Sequence, residues 1–167
     1  MAETAPRPAL TRAAALRGFQ LSSRAAVAAV LAFLIAQWLR MPFPIYAMLA
    51  AVIVTDLSAA ETRKLALPRL VGTSIGAVVG ALVSLAASGP GAMGFGIGVA
   101  MLVCHLVRFP EAARVAGYVP AIVLLQYTDH AWGYAFYRFV ETVLGIVVAY
   151  LLSLLPKLLS RGAAPRG

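Results

Sequence analysis

Arg69-Leu70-Val71-Gly72-Thr73-Ser74-Ile75-Gly76 returns later in the chain as Arg138-Phe139-Val140-Glu141-Thr142-Val143-Leu144-Gly145. Over the 19 aligned positions 67–85 and 136–154, nine residues are identical. Each copy opens a long apolar segment that is third in its half of the chain. If each half crosses a membrane three times, the second half sits upside down relative to the first. Inverted repeats of this kind recur in transporters and place substrate sites at the repeat interface.

Working outward from the repeat, the rest of the chain has the composition of a membrane domain. It is 62% hydrophobic and 12% charged, which excludes an ordinary soluble domain. A crossing helix needs roughly 20 apolar residues at about 1.5 Å of rise each. The apolar segments predict helices at about 20–39, 45–58, 67–87, 92–108, 112–128 and 133–155. The expected fold is an all-α integral membrane protein, six transmembrane helices arranged as two inverted three-helix repeats, about 19–88 and 91–156. An N-terminal arm (1–18) and a C-terminal tail (157–167) flank the membrane domain (19–156). Pro42, Pro44, Ser88-Gly89-Pro90, Phe109-Pro110, Asp129-His130 and Pro156 mark the breaks. Pro120 lies inside the fifth segment and kinks it. The segments lack the alternation of barrel strands. The long N-terminal arm, with no small-x-small site after the first segment, argues against a cleaved signal peptide.

The net charge of +8 does not point to nucleic acid, because the basic residues are spread over segment ends. Twelve of the fourteen Lys and Arg residues fall on one side of the six-segment layout, and only Arg40 and Arg138 on the other. By the positive-inside rule both termini of this multi-pass protein are cytoplasmic. The lone Cys104 excludes an intrachain disulfide and a thiolate cluster and reads as a small core residue. No metal-spaced His and carboxylate pair, phosphate loop or nucleophile elbow is present. No catalytic residue, metal or cofactor is therefore expected, and the chain does not read as an enzyme.

Arg138, Glu141, Thr142 and Gly145 are spaced i, i+3, i+4, i+7 and share one helical face. An ionisable group inside a span costs roughly 2.5–3.5 kcal/mol on insertion scales and should face protein or water. One reading makes Arg138 an attractor for a carboxylate, by its fixed charge and planar donor fork, and Glu141 a proton carrier. The other makes them an intrahelical pair that snorkels to the outer interface. Arg69 is the mirror of Arg138 and reads either as a positive-inside anchor or as an inner anion gate. The short second and fifth segments end in Thr55-Asp56 and Thr128-Asp129. Paired short helices in corresponding positions point to a transport site; tilted packing helices with acidic ends would look the same. Gly72, Gly76, Gly80 and Gly145 are candidates for close helix packing, as is Gly94-x-x-x-Gly98. Thr73 and Thr142 are read first as interhelical hydrogen-bonding groups. Gln37, Gln126, Tyr46, Tyr118, Tyr127 and Tyr134 offer polar contacts, Trp38 and Trp132 an aromatic belt, and His105 an interfacial position.

Leu39-Arg40-Met41-Pro42-Phe43-Pro44-Ile45-Tyr46, Arg69-x-x-Gly72-Thr73-x-x-Gly76, and Arg138-x-x-Glu141-Thr142-x-x-Gly145 with Pro156 together resemble the fusaric-acid-resistance-like (FUSC) and aromatic acid exporter family. That group is distantly similar to plant malate channels. The resemblance runs over about residues 20–156. Tyr46 stands where the family commonly has Trp, and the soluble domains or duplicated module of larger members are missing. The resemblance implies a six-helix module of the inner (plasma) membrane that moves organic anions, often outward and often as a dimer. The expected partners are membrane lipid, a small organic (aromatic carboxylate) anion, and a second copy or a second membrane subunit. Export would be driven by a proton gradient or the membrane potential. The translocation path would include Arg138, Glu141, Thr142, Arg69, Thr73, Asp56 and Asp129. A passive anion channel and a non-transporting scaffold or half-transporter remain as alternatives.

Overall fold

The computed structural model describes residues 12–126 and 130–162, with 155–162 described by their backbone alone. Among the described residues there are six α-helices: α1 Arg12–Trp38, α2 Pro44–Val54, α3 Ala59–Ser84, α4 Pro90–Leu106, α5 Ala113–Gln126 and α6 Ala131–Gly162. A single 3-10 turn, Pro110–Ala112, leads into α5. Three stretches are long and apolar enough to cross a membrane: Ala14–Trp38, Ala59–Ser84 and Ala131–Leu154. The 11 residues of α2 extend only about 16 Å, roughly half a bilayer core.

Several boundaries differ from the sequence expectation. α3 starts at Ala59 rather than near 67, because Ser58 caps it: its hydroxyl accepts the Glu61 N–H at 3.1 Å. Pro68 is carried inside the helix. Arg69 consequently lies ten residues past the start, about 15 Å along the axis, and not at a helix end. α2 stops at Val54, where Thr55 turns its hydroxyl back onto the Ala51 carbonyl at 2.7 Å. α6 continues through Pro156 to Gly162, so the proline removes one backbone donor without ending the helix.

Large apolar side chains lie outside and small ones inside. Leu31, Leu34, Phe95, Leu102, Phe136 and Leu151 are exposed, while Ala28, Ala32, Ala36, Ala47, Ala50 and Ala51 are fully buried. Lipid tails are as apolar as leucine, so helices in a bilayer gain by close backbone approach and not by hiding leucine. α3 and α6 pack on each other at the centre. α3 also takes α5 and α4, and α6 takes α2 and α1; α1 packs on α2, and α4 on α5. Glycine makes the closest of these contacts. A Cβ on Gly72 would strike the backbone of the 3-10 turn at Ala112, and one on Gly76 or Gly80 the α5 backbone at Ala116 or Pro120. A Cβ on Gly145 would strike the α2 backbone at Ala47 and Ala51. Gly94 and Gly98, expected to pack, face open space; the α4 glycine in contact is Gly96, against Pro120 and Leu124. Cys104 is buried beside Ala100, Ala112 and Ala116.

α1 and α4 end alike. Met41 N–H reaches the Ala36 carbonyl at 3.0 Å and Arg40 N–H the Gln37 carbonyl at 2.9 Å. Phe109 N–H reaches Cys104 at 2.8 Å and Arg108 N–H reaches His105 at 3.1 Å. These are Schellman caps, which call for a left-handed residue. Arginine fills that place in both, Arg40 at φ 53° and Arg108 at φ 58°. Each is followed closely by Phe-Pro, with Phe43 (φ -133°, ψ 61°) and Phe109 (φ -124°, ψ 60°) in nearly the same backbone conformation.

Candidate functional site

The site starts from the polar face of α6. Arg138 is 1% exposed and Glu141 0%. They do not pair with one another, since the only ion pair among the described residues is Lys64–Glu61 at 2.6 Å. The snorkelling intrahelical pair is therefore not what forms. Glu141 Oε1 accepts the Phe43 N–H at 2.8 Å, tying the start of α2 to α6. A carboxylate there also meets the positive end of the α2 dipole. The Arg138 guanidinium lies over the Tyr46 ring, its Cζ 3.4 Å from the centroid. Phe43, Tyr46 and Tyr134 form an aromatic wall with centroids 5.3–6.0 Å apart and tilted or edge-on rings. Such contacts hold a cation through the ring quadrupole but fill none of its N–H positions. Among the described residues, Arg138 Nε and Nη1 and Glu141 Oε2 are buried without a hydrogen-bond partner.

Arg69 reaches the same place from α3. It is 3% exposed, and its Nη1 donates to the Tyr118 hydroxyl. Its Cζ is 5.6 Å from the centroid of the Tyr118 ring, and the Arg138 Cζ is 5.9 Å from that centroid. Two guanidinium groups from equivalent positions of the sequence repeat thus meet at one phenol on α5. Among the described residues Arg69 Nε has no hydrogen-bond partner. Arg69 also lines a cleft of about 760 Å³, with Lys64, Phe109, Glu111 and Arg114 around it. The glycine stripe makes this geometry, because only without side chains at positions 72, 76 and 80 does α5 come close enough to bring Tyr118 under α3.

The other sequence candidates divide. Thr142 is buried, and its hydroxyl donates to the Arg138 carbonyl at 2.8 Å. Thr73 is buried one turn past Arg69, and its hydroxyl has no hydrogen-bond partner among the described residues. Asp56 stands apart in the α2–α3 turn, where its Oδ1 accepts the Ser58 N–H at 3.3 Å and its N–H donates to Thr62 at 3.2 Å. Arg24 of α1 caps that turn through the Asp56 and Leu57 carbonyls. Thr128 and Asp129 lie outside the described residues. Trp38 and Trp132 are exposed near helix ends, and His105 is exposed. The sequence places Tyr118 and Tyr134 only among general polar contacts and Phe43 only in the family-like loop, none of them on the translocation path. Tyr134 carried a usable signal, standing one helical turn before Arg138 on the same stripe. Tyr118 carried none, since its place depends on how α5 lies against α3.

Residues 31–152, well over half the chain, match the family described as fusaric acid resistance protein-like. The chain belongs to that family. No curated protein and no solved structure matches it. Membership of this membrane transport and resistance family, with three apolar helices of membrane length, makes the chain a multi-pass membrane protein. Family members are transporters rather than enzymes, and a buried two-arginine site is chemistry for holding an anion.

Proposed function

We propose that this family member passes small organic anions, aromatic carboxylates above all, across the inner membrane through the space between Arg69 and Arg138. The observation that carries this reading is the convergence of two buried guanidinium groups with three donor nitrogens unpartnered among the described residues. A buried arginine without an acceptor is costly in a bilayer. A carboxylate supplies the missing charge and accepts in a fork geometry that arginine matches. The wall of Phe43, Tyr46 and Tyr134 gives an aromatic ring a surface to stack on.

In this reading all six helices cross or enter the bilayer as two inverted three-helix repeats. The packing supports it: exchanging α1 with α4, α2 with α5 and α3 with α6 leaves the pattern of principal neighbours unchanged. Both termini are cytoplasmic by the charge distribution, so the Lys64–Arg114 cleft is the inner mouth. A cell-negative interior favours anion exit by about 2.3 kcal/mol per charge per 100 mV. Export thus needs no further energy source, and Glu141 is the buried acid among the described residues placed to add proton coupling. A homodimer or a second membrane subunit fits the small-residue faces left open.

The test is efflux of benzoate and of aliphatic carboxylates from liposomes holding the purified protein, with Arg138→Gln alongside. Selective flux that disappears in the variant supports the reading. Folded protein that moves no carboxylate under a voltage or a pH gradient sinks it and favours a scaffold subunit.

A further inference from the structure

We propose that Tyr118 is a gate whose hydroxyl occupies, on Arg69, the place of a substrate carboxylate oxygen, so that an anion reaches Arg138 only by displacing it. This rests on the transport reading above. Three observations lead to it. The Tyr118 hydroxyl is the one acceptor that Arg69 has among the described residues, and the two buried arginines share its ring. Arg69 lines the basic cleft, so an anion attracted there by Lys64 and Arg114 meets Arg69 before Arg138. Tyr118 is also built to yield. At 37% exposure it is far less enclosed than either arginine. It sits in Gly117-Tyr118-Val119-Pro120, where Pro120 deprives the Ala116 carbonyl of its helical donor and loosens that turn of α5.

The exchange has a direction. A neutral phenol oxygen gives arginine one hydrogen bond. A carboxylate gives two, each charge-assisted and roughly twice as strong. A carboxylate therefore wins the contest, whereas an ion with a single point of contact gains little by it. An aromatic acid also replaces what leaves, putting a ring and an anionic oxygen where the phenol was. Tyr118 is in this sense a resident surrogate for the substrate.

The experiment is a double-mutant cycle with benzoate as probe. Half-saturation is read from liposome efflux and the dissociation constant from calorimetry on solubilised protein, for wild type, Tyr118→Phe, Arg69→Gln and the double variant. Phenylalanine keeps the ring and its packing, so only the competing oxygen is removed. Freeing a charged donor of its acceptor should tighten benzoate about tenfold in Tyr118→Phe, and adding Tyr118→Phe to Arg69→Gln should change nothing further. An unchanged constant in Tyr118→Phe, or an equal shift in both backgrounds, overturns the gate. If the calorimetric shift appears but no protein moves benzoate, the transport reading falls while Tyr118 stands as a competitor for Arg69. If no protein binds benzoate, both fall.

Discussion

Positions 72 and 141 are the same place in two copies of one sequence motif, filled in opposite ways. At 72 a glycine lets the α5 entry press onto α3, with Ala112 O only 2.5 Å from where a Cβ would stand. At 141 a glutamate reaches across to the equivalent entry of α2 and takes the Phe43 N–H. One half closes the contact by removing a side chain, the other by supplying an acceptor. Four residues later both halves return to glycine, Gly76 and Gly145, each against the backbone of a short helix. The frame is thus repeated while its chemistry is not, and Glu141 has no acidic counterpart at position 72.

The sharpest way to break that comparison is to make the halves alike. Gly72→Glu drives a side chain into α5 backbone, which cannot yield as a flexible side chain would, and should cost at least ~3 kcal/mol. The expected outcome is loss of monodisperse protein on size exclusion in detergent. Recovery of a well-folded Gly72→Glu variant would mean that the α3–α5 contact is looser than described. Next in size is Arg138→Gln, which removes a charge from the middle of the site and should lower carboxylate flux about 100-fold, or about 2.7 kcal/mol. Arg69→Gln, nearer the mouth, should raise half-saturation from the cleft side about tenfold while sparing more of the maximal rate. Equal effects of the two would mean that the arginines act as one site and not in succession.

Glu141→Gln sharpens the comparison further. Glutamine keeps a carbonyl for Phe43 N–H, but a neutral acceptor gives a weaker bond than a carboxylate. A loss of about 1 kcal/mol in thermal unfolding is expected. Flux separates two mechanisms: a proton-coupled exporter loses its response to a pH gradient in this variant, and a potential-driven channel keeps its voltage-driven flux.

How much of this was legible in the sequence follows the range of the interactions. Arg138, Glu141 and Thr142 could be placed on one face because helical spacing is local. The glycines of the repeat could be read as contacts because small residues every four positions make a groove in any helix. The start of α3 was misplaced although Ser58-Ala59-Ala60-Glu61 spells a helix cap, since Arg63 and Lys64 looked like a loop and are instead an exposed helical turn. Gly94 and Gly98 have the same spacing as Gly72 and Gly76, and nothing local tells which pair meets a neighbour. The contact of Arg69 with Tyr118 spans 49 residues and exists only once α5 has docked. For that class of contact, spacing in the chain holds no information.

The smallest expected effect tests whether the repeat extends beyond the long helices. Leu39-Arg40-Met41-Pro42 and Val107-Arg108-Phe109-Pro110 end α1 and α4 with the same hydrogen bonds and with arginine in a left-handed conformation. A side chain at positive φ is strained, and glycine is not. Glycine also gains more freedom in the unfolded chain, which offsets part of the relief. Arg40→Gly and Arg108→Gly should each therefore raise stability by only about 0.5 kcal/mol, and by similar amounts, in thermal unfolding. Their effects on orientation should differ. Arg40 lies on the side that the charge rule calls outside, so its loss strengthens the bias, whereas losing Arg108 removes one of twelve inside charges and weakens it slightly. Equal stabilities with opposite shifts in the sidedness of inserted protein, read by protease access to a C-terminal tag, would show two copies of one cap in opposite orientations. A stability gain at only one arginine would mean that the two turns share a sequence pattern but not a structural role, and would confine the repeat to α3 and α6.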